Sequence, residues 1–413
     1  MFSVSNIGLK SKNLYTNLIM KKVVNGLRTW LEIDRKNIEH NYKIFRSLIA
    51  KKTKLMAIVK SNAYGHSLID FSKEIVKQGA DWLGVDSIVE AVALRQAGVK
   101  SPILVLGYTL PGRLEEASDY GISITVSSFE LLEKICRRNF KKLLKVHVKV
   151  DTGMHRQGFQ LDEFPKFLNL VKNLDKLVLI EGLYTHFAAA KNPAFPEQTK
   201  RQLKEFDKWI QSIRQSGFSP IIHAAASAGT ILFPESHFDM VRIGIGLYGI
   251  WPAKEVREFC RGKFELKPAM VWKTIISEIK VVKKCDRVGY DYTEIMKDDS
   301  KVAICPVGYW HGYARALSSI GWVSVNGRGG RVIGRVSMDM IVIDISKIKN
   351  VKIGDEVVLM DSEKDAALTA EEIGNLIDRS PYEIITCINP LIKRIYSAPE
   401  PRGRAGSLRG NSC

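Results

Sequence analysis

Between about residues 55 and 250 one unit repeats: a short apolar run, a turn, then an amphipathic stretch of helical period. The apolar runs are LMAIVK (55–60), DWLGVDS (81–87), PILVLG (102–107), ISITVSS (122–128), KVHVKVDT (145–152), LIEGLYTH (179–186), IIHAAAS (221–227) and MVRIGIGLYG (240–249). Patterns such as SLIDFSKEIVKQG, SIVEAVALRQAG and SSFELLEKICRRN lie between them, and several helical stretches end at Gly, a common C-cap. Eight strand–helix units in so short a span predict a parallel (β/α)8 barrel.

The texture changes after about residue 265. KTIISEIKVV, KVAICPVG, WVSVNG, RVIGRVSMDMIVIDIS and DEVVLMD are rich in Val and Ile, are separated by Gly, Asn and Asp, and carry little helical period. They predict a mostly β second domain, with one helix near TAEEIGNLID starting close to a capping box. The expected fold class is α/β, with residues 27–264 as the barrel and 265–396 as the β domain. TWLEID (29–34) precedes the barrel and is expected to pair with the second domain. Residues 1–26 read as a flexible leader and 397–413 as a disordered basic tail.

Composition narrows the function classes. The net charge of +18 invites a nucleic-acid reading. The lysines are scattered, however, mostly along expected exposed helix faces (Lys141, Lys142, Lys145, Lys166, Lys172, Lys200, Lys204, Lys208), with no basic stripe interleaved with aromatics. No nucleic-acid partner is expected. No apolar run reaches the roughly 20 residues of a membrane span, so no membrane partner is expected either. Six cysteines sit far apart without a C-x-x-C pair, and no H-E-x-x-H occurs, so a reduced cytoplasmic setting without metal is expected.

A barrel gathers its active site at the C-terminal ends of its strands. There this chain places Lys60 on the first strand, Lys149, Asp151, Met154 and Arg156 on or after the fifth, His186 on the sixth, Ser227 on the seventh, and Arg242, Gly244, Ile245 and Gly246 on the eighth. Ser227 and the small residues near it would let backbone N–H groups approach an anion. A lysine at a buried strand end is paired, snorkelling or chemically used, and a desolvated amine suits Schiff-base chemistry. A reactive Lys60 opposite a phosphate cradle points to pyridoxal phosphate as cofactor.

VKSNAYGH, KVDTGMHRQG, VRIGIGLYG, VGYDYT, VGYWHGYAR, GRVSMDM and PYEIITCI recur in order over residues 27–396, and with them the chain resembles the bacterial alanine racemases. The resemblance implies a racemase that interconverts L- and D-alanine for peptidoglycan and works as a homodimer. It implies that Lys60 carries the cofactor covalently and is one base, and that Tyr290 is the opposing base, supplied by the partner subunit. Arg242 would bond the pyridine nitrogen. Tyr64, Ser227, Tyr382 and the backbone of Gly244 and Ile245 would hold the phosphate. Arg156 would donate to the phenolic oxygen and bind substrate, while Met338, again from the partner, would contact the substrate carboxylate through its N–H. His186 would join the Arg242–Tyr290 network, with Lys149, Tyr309 and Asp339 in support. Lys149 matches a position that some members carbamylate.

The chemistry asks for these types. Racemisation takes a proton from one face and returns one to the other, so opposed bases suffice without a swinging group. Lysine and tyrosine both titrate near 10 when free, so each must be pushed down by burial, charge or a hydrogen bond from a neighbour such as His186. An arginine only donates, which leaves the pyridine nitrogen unprotonated and favours reprotonation over transamination or decarboxylation. Departures from the family pattern fall at Ala226, Trp310, His311 and Glu294, at or near the expected entrance. His311 and His66 read as structural histidines. A serine or broad-specificity racemase, a non-catalytic pyridoxal-phosphate carrier, a decarboxylase of similar layout and a basic nucleic-acid binder are the competing readings.

Overall fold

The computed structural model describes residues 24–361 and 368–397. The leader through residue 23 and the tail from 398 lie outside the described residues. Eight parallel strands close into a barrel: β2 (Lys54–Ile58), β3 (Trp82–Val85), β4 (Ile103–Val105), β5 (Ser123–Val126), β6 (Leu144–Lys149), β7 (Val178–Tyr184), β8 (Ile221–Ala226) and β9 (Met240–Ile243). Each falls within an apolar run of the sequence except at β2, β6 and β7, which start one residue earlier. Pairing of β2 with β9 closes the ring. The barrel strands are nearly all buried because helices cover their outer faces. Met56, Ile58, Trp82, Leu104 and Met240 fill part of the interior.

Strand β1 (Thr29–Ile33) lies in the second sheet, not in the barrel. It pairs antiparallel with β10 (Met270–Ile275) and parallel with β19 (Lys393–Tyr396). The sheet continues through β11 (Glu278–Val282), β14 (Ser300–Cys305), β15 (Trp322–Val325), β16 (Arg328–Ile333), β17 (Ile341–Asp344) and β18 (Glu356–Met360), in the order β11-β14-β17-β16-β15-β18-β10-β1-β19. A separate ribbon pairs β12 (Arg287–Val288) with β13 (Glu294–Ile295). The capping box forms as the sequence suggests. Thr369 Oγ1 accepts from the Glu372 N–H at 3.2 Å, and Glu372 Oε2 accepts from the Thr369 N–H at 3.0 Å, at the start of the helix Ala370–Leu376.

The two units meet where the site forms. After β2 the chain enters a left-handed turn: Ser61, Asn62, Ala63 and Tyr64 have φ of 56, 55, 50 and 49°. None of them is glycine, and this conformation costs about 1–2 kcal/mol per residue. Side chains on either side hold it. Asn62 Oδ1 accepts from the Leu68 N–H at 2.9 Å. From β19, Arg394 Nε donates to the Gly65 carbonyl at 2.9 Å and Tyr396 Oη to the His66 carbonyl at 2.6 Å. His66 is buried and its ring donates to the Tyr64 carbonyl at 3.0 Å, a structural role. Strain kept in place by its surroundings is characteristic of functional sites. No helix among the described residues is long and apolar enough to cross a membrane.

Two expectations need correction. Lys141, Lys142 and Lys145 do not lie on exposed helix faces: the first two sit in the connection between the helix Phe129–Cys136 and β6, and Lys145 lies in β6 and pairs with Glu181 at 3.2 Å. Lys60 does not end a buried strand. β2 stops at Ile58, and the Lys60 side chain is 39% exposed, because the turn carries it into an open cavity.

Candidate active site

The cavity lies at the C-terminal mouth of the barrel and encloses about 590 Å³, within the range usual for small-molecule sites. Its lining includes Lys60, Tyr64, Lys149, Arg156, His186, Ser227, Arg242, Gly244, Ile245 and Tyr382, so these barrel residues converge there with Tyr382 of the β domain, while Asp151, Met154 and Gly246 of the barrel mouth do not line it. Five lining side chains are cationic (Lys60, Lys149, Arg156, Lys191, Arg242) and one, Asp86, is anionic. The site is built for an anionic ligand.

Each wall has a local cause. Lys60 leaves the left-handed turn and donates to Asp86 Oδ1 at 3.2 Å. Opposite, the Ser227 hydroxyl accepts from the N–H groups of Gly244 at 3.1 Å and Gly246 at 3.5 Å. A Cβ on Gly244 would stand 2.8 Å from Tyr64 Oη, so hydroxyl, phenol and bare backbone crowd one corner. Tyr64 and Tyr382 are both partly buried; burial raises the Tyr64 phenol to about 12 and raises that of Tyr382 too, so both stay neutral donors. Between β6 and Arg156, Asp151 Oδ1 gathers the N–H groups of Gly153, Met154 and His155 at 2.8, 2.9 and 3.1 Å, which folds the loop back toward the cavity.

Arg242 stands at the centre of the floor and is 3% exposed. Its Nη1 donates to His223 Nδ1 at 2.9 Å. Its Nη2 donates to the carbonyls of Thr185 and Ala224, both at 2.8 Å, and meets His186 Nδ1 at 3.3 Å. Nε and the second Nη1 hydrogen therefore remain guanidinium donors without a protein partner among the described residues. Burial lowers the arginine to about 10, still protonated at neutral pH. His186 is driven to about 3 by burial first and then by Arg242, Arg156, Lys149 and Lys60. It is a neutral hydrogen-bonding ring and not a cation. Lys149 donates to Gln157 Oε1 at 2.9 Å and is lowered to about 8 by burial, with Arg156 and Arg242 adding to the fall.

Residues 33–252 match the family model for the alanine racemase N-terminal domain, and residues 269–396 match that for the C-terminal domain. The chain belongs to the alanine racemase family. Alanine racemase 2 of Oceanobacillus iheyensis is 36% identical over 371 residues, which cover 89% of this chain and 93% of that protein. The alanine racemase of Symbiobacterium thermophilum is 37% identical over 377 residues, 90% of this chain and 98% of that one. Among solved structures, the alanine racemase of Clostridium difficile 630 superposes with a TM-score of 0.84 at 33% identity, over 90% of this chain and 96% of that chain. The Bacillus anthracis alanine racemase, solved with bound L-Ala-P, gives 0.84 at 32% identity over 89% and 95%. Membership of the alanine racemase family implies pyridoxal phosphate as its cofactor.

In this alanine racemase family member, four residues nominated on the β domain stay outside the cavity. Tyr290, Met338 and Tyr309 are 67, 54 and 42% exposed on the β domain, and the Asp339 side chain is 54% exposed. Their loops adjoin: the N–H groups of Tyr309 and Trp310 donate to the carbonyls of Ser337 and Met338, each at 3.0 Å. Of the departures, Ala226 lines the cavity. Glu294 forms a two-point pair with Arg331 at 2.7 and 3.3 Å. His311 is buried, and its Nδ1 accepts from the Gly308 N–H at 3.2 Å, the role of a loop-forming residue. Sequence reasoning missed Asp86, Gln157, Tyr184, Lys191 and His223. The signal for His223 was present, a histidine alone inside the otherwise apolar run IIHAAA.

Proposed function

We propose that this protein interconverts L- and D-alanine, with Lys60 of one protomer and Tyr290 of a second copy as opposed bases. The observation that carries the reading is Arg242, pinned in the wall of the cavity that Lys60, Ser227 and Gly244 also line, with Nε and one Nη1 hydrogen left to offer. The donor set fits pyridoxal phosphate. Lys60 would carry it, Tyr64, Ser227, Tyr382 and the amides of Gly244 and Ile245 would hold the phosphate, Arg156 would meet the phenolic oxygen, and Arg242 would meet the ring nitrogen. When bound, the cofactor supplies the electron sink that acidifies the α-proton of an amino acid.

The chain's own groups do the rest. Lys60 Nζ would take the α-proton from one face and Tyr290 Oη would return one from the other. Arg242 stays protonated and donates without giving up its proton, so the partner nitrogen remains unprotonated and reprotonation at the α-carbon is favoured. His186, being neutral, would steady the Tyr290 phenol by hydrogen bonding. Tyr290, Tyr292, Tyr309, Trp310, Met338 and Met340 expose large apolar side chains on one domain, a surface suited to a second copy. D-Alanine made this way would supply peptidoglycan assembly from the cytosol.

Loss of circular dichroism by L-alanine, followed with the purified, cofactor-saturated protein and with L-serine in parallel, tests this. Alanine is expected to racemise about a hundredfold faster, the discrimination an apolar pocket gives against an added hydroxyl. Comparable rates would make the protein a broad racemase. No loss with either, in a protein that binds the cofactor, overturns the reading. A second expectation concerns the phosphate corner. Gly244→Ala places a methyl 2.8 Å from Tyr64 Oη. It is expected to weaken cofactor binding roughly ten- to a hundredfold, the loss of one hydrogen bond to a charged group. An absorbance titration with an unchanged Kd would remove Gly244 from the cradle.

A further inference from the structure

We infer that Glu181, His147 and His223 form a one-directional hydrogen-bond line through the barrel interior that fixes the orientation and charge of Arg242, which makes Glu181 and His147 positioning residues for the site. The inference rests on the reading of Arg242 given above.

The direction of the line follows from donor inventory alone. An arginine only donates, so His223 Nδ1, 2.9 Å from Nη1, must accept. A neutral His223 then carries its proton on Nε2, which donates to His147 Nδ1 at 2.9 Å. His147 in turn carries its proton on Nε2, which faces Glu181 Oε2 at 3.3 Å. Glu181 ends the line as an acceptor and receives Ser123 Oγ and, across 3.2 Å, Lys145 Nζ. Arginine and carboxylate thus form a charge pair with two neutral imidazoles between them. Burial lowers both histidines, which keeps them neutral. Burial works to raise the Glu181 carboxyl, but the bonds from His147 and Ser123 outweigh it and hold it at about 2.

The backbone is shaped around this line. In the β6–β7 pairing, Val146 faces Ile180 and His147 faces Gly182, so Glu181 is an extra, unpaired residue. In the β8–β9 pairing, His223 faces Met240 and Ala226 faces Arg242, again with one residue too many. Bulges of this kind re-aim groups beside active sites. The first lies at Glu181, and the second lies where the Ala224 carbonyl takes an Arg242 proton. A Cβ on Gly182 would stand 2.1 Å from His147 Nδ1, so the ring has its place only because the neighbour is glycine. Simple filling of the interior would call for apolar side chains like the neighbouring Met56, Leu104 and Met240. Burying polar groups there is costly unless every one is bonded.

Neutron diffraction from the deuterated holoenzyme at neutral pH reads the line directly. Deuterons are expected on Nε2 of His147 and His223 and on neither Nδ1. A deuteron on either Nδ1 overturns the proposal, whether or not the protein racemises alanine, so its failure is distinguishable from failure of the functional reading. In solution, Glu181→Gln removes the charge and keeps the shape. It is expected to lower kcat for alanine at least about tenfold, as loss of an orienting outer-shell partner does, and to shift the pH at which the bound cofactor's visible band changes. Gly182→Ala displaces the His147 ring without deleting a polar group and is expected to shift the same profile. Wild-type kcat and band profiles in Glu181→Gln would also overturn the proposal.

Discussion

Lys60→Ala is expected to abolish the visible absorbance band of the cofactor-treated protein and to lower racemisation by about a thousandfold or more, the scale on which a covalent anchor and base is lost. The fold is expected to survive. The Lys60 side chain is half-exposed, its removal releases Asp86 to water, and the strain of the turn sits in the four residues after it. Those residues are held by Asn62, Arg394 and Tyr396, none of which touches the lysine amine through the bonds that hold the turn. A titration by absorbance and fluorescence would separate anchoring from binding. Non-covalent retention through the Ser227–Gly244 corner is expected to persist, with weakened affinity and without the band. A variant that keeps both band and activity would remove Lys60 from the chemistry.

Why the barrel was legible in the sequence and parts of the site were not has a physical basis. Parallel strands covered on both faces must be apolar throughout, so runs such as ILV in β4 and SITV in β5 declare themselves. The capping box at Thr369 is equally local. The left-handed turn was not legible, because Ser61, Asn62, Ala63 and Tyr64 carry no glycine to announce it. Its cause is distant, in side chains of β19 more than 300 residues on. The half-exposed state of Lys60 follows from that turn and was missed with it.

The line beneath Arg242 was hidden for a different reason. Glu181 precedes a glycine in LIEGLY and reads as an outward-facing strand residue under strict alternation. The bulge breaks the alternation at that residue, and only the pairing register reveals it. Lys145, which looked like one more surface charge, is drawn into the same cluster by Glu181. The family pattern, by contrast, carried Arg242, Ser227 and Tyr382 to one cavity from a strand and two helices far apart in sequence.

Tyr290→Phe is expected to bind the cofactor normally and to lose most racemisation, since one of two opposed bases is missing. Its exposed position in a single chain makes a stronger test available. In a dimer whose sites each combine Lys60 of one protomer with Tyr290 of the other, pairing a Lys60→Ala chain with a Tyr290→Phe chain puts both defects in one site and leaves the other intact. The heterodimer, isolated through two different tags, is expected to recover about half the activity of the wild-type dimer, although each parent homodimer is nearly inactive. If Tyr290 instead reached the Lys60 of its own chain, each site would keep one defect and the heterodimer would stay inactive. Met338 offers an independent check of the same geometry: its surface is continuous with the Tyr309–Trp310 loop through two backbone bonds. A charge introduced there as Met338→Asp is expected to weaken dimerisation and racemisation together, with the monomer still binding the cofactor through the barrel. A dimer of undiminished strength and activity would place the interface elsewhere.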